Sequence, residues 1–124
     1  MFADIEGLYA RNPNYFFVAE TDPGQIIGFI TGYEKKGVPE NVLRTWDARR
    51  VGYVDLMAVD APHRRKGVGE ALLSAILGRF KNDGIDIVNL DVPAEEGAAV
   101  RLYKKLGFHT RAYSMRKRLT LTPR

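Results

Sequence analysis

From Gly52 to Val92 the chain reads as a strand, a basic glycine-bearing turn, a helix and another strand in immediate succession, and this run constrains the fold most. GYVDLMAV (52–59) is mostly apolar, as a central strand covered on both faces should be. Val68, Leu72, Ala75, Ile76 and Phe80 then recur at helical spacing, and Asn82-Asp83-Gly84 gives the helix a stop. IDIVNLDV (85–92) is a second buried strand. A helix joining two strands this closely is a crossover, so the strands are expected to be parallel neighbours.

The rest of the chain dresses that unit. Residues 4–11, DIEGLYAR, read as a short helix ending before Asn12-Pro13. FFVAE (16–20) and IIGFITGYE (26–34), joined by TDPGQ, form a hairpin signal. Residues 35–50 are polar and read as a mobile loop or short helix, with Trp46 as its apolar anchor. Ala98 to Leu106 reads as a second helix stopped by Gly107, and residues 108–121 return as one or two strands. The expected fold class is α/β, a mixed, mostly antiparallel sheet flanked by helices. At 124 residues the chain fits a single domain, 1–124.

His63, Arg64, Arg65 and Lys66 stand directly ahead of Gly67 and Gly69 at the start of the helix. Like charges repel, so their crowding there points to an anion. A helix N-terminus supplies unpaired N–H groups and the positive end of a dipole, and glycines let a phosphate approach the backbone. As a bare pattern, a basic turn with solvated side chains reads the same way. The turn is not a Walker loop, because Glu70-Ala71 follow the second glycine where Lys and Ser/Thr are needed, and it is not G-x-G-x-x-G.

Composition removes several other classes. With no cysteine, disulfides, thiolate metal sites and Cys nucleophiles are excluded. His63 and His109 are far apart and make no visible ligand set, so no metal is expected, and both read as surface histidines. No apolar run approaches the roughly 18 residues of a membrane span, and the N-terminus lacks the basic-then-apolar order of a signal peptide. A cytoplasmic protein without a membrane partner is expected. Residues 101–124 hold eight Lys/Arg and no Asp/Glu, against 11 and 15 in residues 1–100. That basic end is either a solvated strand face or an anion surface. It lacks the aromatic-basic interleaving of a stacking platform, so no nucleic-acid partner is expected.

Two motifs carry a resemblance. Arg64-x-x-Gly67-x-Gly69 matches the acyl-CoA motif Q/R-x-x-G-x-G/A of the GCN5-related N-acetyltransferases, and Leu102-Tyr103-x-x-Leu106-Gly107-Phe108 matches their C-terminal helix and turn. Val51 to Phe108 closely resembles that family. The resemblance implies acetyl-CoA as co-substrate, with its pyrophosphate on the backbone amides of Arg65, Lys66, Gly67, Val68, Gly69 and Glu70. Side-chain contacts would come from Arg64, Arg65 and Lys66. It implies a bulged strand that splays from its neighbour, so that Met57, Ala58 and Val59 offer backbone groups to the pantetheine arm and the thioester. Tyr103, at the family's Tyr position, is the candidate acid. Asp55 is the candidate base, with its pKa rising if it is desolvated, and Glu20, Glu34 and Asp91 stand behind it.

The reaction so implied is direct transfer of acetyl to a primary amine carried by a small molecule or a peptide. A non-catalytic acyl-CoA-binding or sensor module is the alternative, motivated by Glu96 where the family often has Asn and by a front that lacks the family's opening strand and helix. A sheet lacking its first strand exposes an edge, from which a homodimer is expected.

Overall fold

The computed structural model describes residues 15–21 and 24–123 and the backbone of residues 7–11. They fall into two compact units, Met1–Asp91 and Val92–Arg124. The first contains β1 (Gly7–Arg11), β2 (Tyr15–Thr21), β3 (Gln25–Lys35), α1 (Glu40–Trp46), β4 (Val51–Val59), α2 (Val68–Asn82) and β5 (Ile87–Asn89). The second contains α3 (Gly97–Lys105).

The sheet runs β1-β2-β3-β4-β5. Its first three pairings are antiparallel and β4 pairs with β5 in parallel, as the crossover requires. The mixed, mostly antiparallel sheet expected from sequence is the one observed.

Three elements depart from expectation. Residues 7–11 form a strand, not a helix, registering from Gly7 opposite Glu20 to Arg11 opposite Phe16. An isolated helix of that length is marginal, whereas β2 offers it five ladder positions; residues 4–6 lie outside the described ones. The second parallel strand is only Ile87–Asn89 rather than the whole of 85–92. Residues 108–121 belong to no strand. Their alternation is a strand pattern, but a strand needs a partner and none is described in their unit.

One helix organises the core. Leu72, Leu73, Ile76 and Phe80 of α2 are fully buried, each side chain contributing about 1.5–3 kcal/mol by burial. The helix can lie this close because small residues face it. A Cβ on Gly32 would stand 2.9 Å from Ile76 Cδ1, and one on Gly52 3.0 Å from the Phe80 ring. Phe17 and Ala19 of β2 and Ile30 of β3 complete this face. The cross-strand partners on the opposite face, Thr31 with Leu56 and Tyr33 with Tyr53, are partly or fully exposed. β4 is therefore covered on one face in this region, not on both.

A polar network ties the far end of the sheet to the end of α2. Tyr15 donates its hydroxyl to Asp83 Oδ2 at 2.7 Å, and Arg79 Nε lies 3.2 Å from the same oxygen. Arg50 reaches Glu34 through two hydrogen bonds and donates to the Asp83 carbonyl. Asp86 accepts the backbone N–H groups of Arg49 and Arg50, which hold its carboxyl below the usual range.

Candidate active site

The site begins at an irregularity in β4. Thr31 lies opposite Leu56 and Gly32 opposite Val54, so Asp55 has no partner on β3. This is a β-bulge, and the extra residue shifts the inward-outward phase of the strand. Val54 is buried, Asp55 and Leu56 are both exposed, and Met57 turns back to a half-buried position. Asp55 thus sits in solvent contact rather than buried in the strand.

Beyond the bulge β4 also loses its other neighbour. Pairing with β5 ends at Tyr53 opposite Asn89, and residues 54–59 have no ladder partner on that side among the described residues. Met57, Ala58 and Val59 lie on this stretch. The Val59 carbonyl accepts a hydrogen bond from Arg64 Nε at 3.1 Å.

The strand then turns sharply into α2. Asp60 N–H donates to the Ile27 carbonyl at 2.7 Å, and a 3-10 turn spans Ala61–His63. Arg65 has φ of 64° and Gly67 of 84°, two left-handed residues within three. For Gly67 this is easy, while for Arg65 it costs roughly 1–2 kcal/mol. Strain of this kind gathers at ligand clamps. The first helical bond is Ala71 N–H to the Gly67 carbonyl at 3.0 Å, and no side chain caps the helix. The amides of Val68 and Gly69 therefore start the helix without a carbonyl four residues back. Around them Arg64, Arg65 and Lys66 are exposed, whereas Val68 is buried and anchors the turn. Backbone donors, a helix dipole and three cations in one turn suit a di- or triphosphate-bearing ligand.

The remaining candidates sort by environment. Tyr103 lies on α3, in the second unit, and is half-buried; burial pushes its hydroxyl pKa up, so it keeps its proton at neutral pH. Glu34 is held down to about 2 by its hydrogen bonds from Arg50, with Lys36 at 3.2 Å, and such a carboxylate is a poor proton acceptor. His63 is not a free surface histidine: its side chain is 21% exposed and Nδ1 stands 3.4 Å from Asp60 Oδ2. A groove of about 460 Å³ lined by Leu77, Ile85 and Val88 lies at the other end of α2, away from this turn.

Sequence reasoning missed the aromatic face around Asp55. Tyr53 and Tyr33 stack with centroids 5.7 Å apart and planes at 8°. The alternation Phe29, Thr31, Tyr33 was available as a signal. Which face it occupies depends on the register.

The family model for the GNAT acetyltransferases matches residues 1–108. The chain belongs to the GNAT acetyltransferase family. Among curated relatives of this GNAT chain, the mycothiol acetyltransferase of Saccharomonospora viridis is 36% identical over 95 residues, 77% of this chain and 30% of its own length. The N-alpha-acetyltransferase of Sulfurisphaera tokodaii is 37% identical over 94 residues, 75% of this chain and 55% of its own. The chain thus spans between about a third and about half of these relatives. An aminoglycoside N-acetyltransferase solved in complex with CoA shares the fold, with a TM-score of 0.68, 23% identity, and coverage of 88% of this chain and 70% of that one. No helix among the described residues is long and apolar enough to cross a membrane.

Proposed function

We propose that this GNAT chain transfers the acetyl group of acetyl-CoA to a primary amine on a small molecule or a peptide, by direct attack and without an acyl-enzyme. The observation that carries the reading is the turn at Arg64–Gly69, where two left-handed residues open a helix beside three cations and behind a strand with a free edge. Its donor set fits the pyrophosphate of acetyl-CoA. The amides of Arg65 to Glu70 would hold that group, with Arg64, Arg65 and Lys66 adding charge-assisted contacts. Bound there, acetyl-CoA supplies an activated thioester. The open edge at Met57 and Ala58 offers backbone groups that align the arm. Asp55 takes the proton of the attacking amine, and Tyr103, which keeps its hydroxyl proton, returns one to the leaving sulfur.

The compartment we infer is the cytoplasm and the assembly a homodimer. Among the described residues β1 and β5 are the edge strands of the sheet, which supports the second inference.

A thermal melt with and without millimolar acetyl-CoA, using ATP and a nonspecific polyanion as controls, tests the cofactor, because a ligand of the native state raises its stability. Release of CoA on adding amines tests the transfer. A shift specific to acetyl-CoA together with CoA release supports the transferase. A shift without release for any amine makes the chain an acyl-CoA-binding module, and an equal shift with any polyanion reduces the turn to a basic surface.

A further inference from the structure

The face of the sheet opposite α2 carries an arrangement that the acetyl-CoA turn does not use. The even positions Gly28 and Gly32 of β3 face Leu72, Ile76 and Phe80 of α2. Phe29, Thr31 and Tyr33 therefore face the other way. Cross-strand partners share a face, which adds Tyr53 opposite Tyr33, Leu56 opposite Thr31, and Phe16 of β2 opposite Thr31 on its other side.

The rings on this face form two stacked pairs. Tyr33 and Tyr53 are nearly coplanar in tilt at 8°, and Phe16 and Phe29 stack at 6.2 Å and 13°. Phe29 and Tyr33 are four positions apart on β3, about 13 Å along a strand. Between the pairs lies the bulge. It turns both Asp55 and Leu56, which is 58% exposed, outward onto the same apolar field. Without the bulge Leu56 would be directed toward α2.

We propose that this face binds the acceptor, and that the acceptor class is a primary amine borne one or two carbons from an aromatic or bulky apolar group. The inference rests on the transferase reading for its chemistry and on this face for its selectivity. A primary ammonium needs a carboxylate, and Asp55 is the carboxylate placed among these rings. The group next to the amine meets the Tyr33–Tyr53 pair on one side and Leu56 on the other. Tyr53 lies two residues from Asp55, roughly 6–7 Å along the strand, a span that a short alkyl spacer bridges. A polyamine leaves its remaining charges against apolar side chains with no counter-ion, so polyamines are disfavoured. Tyr53 is the specificity-determining residue.

The test uses the whole chain with acetyl-CoA present and three amines: phenethylamine, spermidine and methylamine. Amine binding is followed by NMR shifts of the Tyr53 and Leu56 resonances, and CoA release is followed separately. Phenethylamine is expected to bind at least about tenfold more tightly than spermidine or methylamine, perturbing Tyr53 and Leu56. Tyr53→Ser should lose that preference and Tyr53→Phe should keep it, while the acetyl-CoA-induced melting shift stays unchanged in both. Equal binding of the three amines, absence of perturbation at Tyr53, or a preference that survives Tyr53→Ser overturns the proposal. Selective binding of phenethylamine with no CoA release from any amine leaves the amine selectivity of this face standing and removes the transferase reading instead.

Discussion

Phe108 donates its backbone N–H to the Tyr103 carbonyl at 3.0 Å and sets its ring edge-on to the Tyr103 ring, 5.8 Å between centroids. With Gly107 N–H on the Lys104 carbonyl and Gly107 left-handed at φ 96°, this is a Schellman ending with its apolar contact. The packing role of Tyr103 and its proposed acid role can therefore be separated. Tyr103→Phe keeps the ring pair and removes only the hydroxyl, so turnover should fall roughly 100-fold with melting temperature and acetyl-CoA affinity nearly unchanged. Tyr103→Ala should in addition lose about 1–2 kcal/mol of stability. Unchanged turnover in Tyr103→Phe would make Tyr103 a packing residue alone.

Gly67 and Gly107 share a left-handed backbone but stand in different turns. A side chain at either is strained by roughly 1–2 kcal/mol. Only Gly67 stands in the turn proposed to hold the pyrophosphate. Gly67→Val should weaken acetyl-CoA binding about tenfold or more, whereas Gly107→Val, with nothing within 4 Å of its added Cβ, should lower stability and leave that affinity intact. Titration calorimetry on both variants checks the contrast, and equal affinity in Gly67→Val would remove the phosphate role.

Much of this was legible in the sequence, for identifiable reasons. The 64–70 turn and the Leu102–Phe108 ending are local, written by glycines whose backbone angles few other residues adopt. The parallel pairing of β4 with β5 follows from a short crossover. What stayed hidden was non-local. Residues 7–11 became a strand because β2 had an edge to offer, and 108–121 carry a strand pattern for which their unit provides no partner. The exposure of Asp55 hangs on one unpaired residue in the β3–β4 register, which no window of sequence reports.

The Asp55 assignment has its own signature. A base must be unprotonated to act, so it sets the limb of the pH–rate profile that rises from low pH. Asp55→Asn should lower turnover and abolish that limb while the acetyl-CoA melting shift persists. A preserved limb would move the base to another carboxylate, and Glu34 is already committed to Arg50.

That commitment has a pH dependence of known sign. Hydrogen bonds from Arg50 hold Glu34 down to about 2, against an ordinary 4.5. A carboxyl depressed in the folded state stabilises it fully above its ordinary pKa, and the contribution is lost as pH falls through the folded value. Arg50→Met should therefore lower the urea midpoint at neutral pH, and the gap to the parent chain should narrow as pH drops from about 4.5 toward about 2. A gap independent of pH across that window would assign the effect of Arg50 to its bond with the Asp83 carbonyl instead.

Close approach of α2 to the sheet predicts opposite signs for two glycine replacements. A Cβ on Gly32 meets the Tyr53 carbonyl at 2.5 Å as well as Ile76 and Phe80, whereas one on Gly78 meets nothing within 4 Å. The Tyr53 carbonyl is backbone within the sheet and cannot move without disturbing the ladder. Gly32→Ala should thus destabilise by about 1–3 kcal/mol. Gly78, in the interior of α2 and exposed, carries only the entropic cost of glycine in a helix, so Gly78→Ala should stabilise by about 0.5–1 kcal/mol. Urea denaturation of both variants reads the signs. If Gly32→Ala were neutral, α2 would sit farther from the sheet than the contacts of Phe80 and Ile76 require, and the buried face would not be the one described.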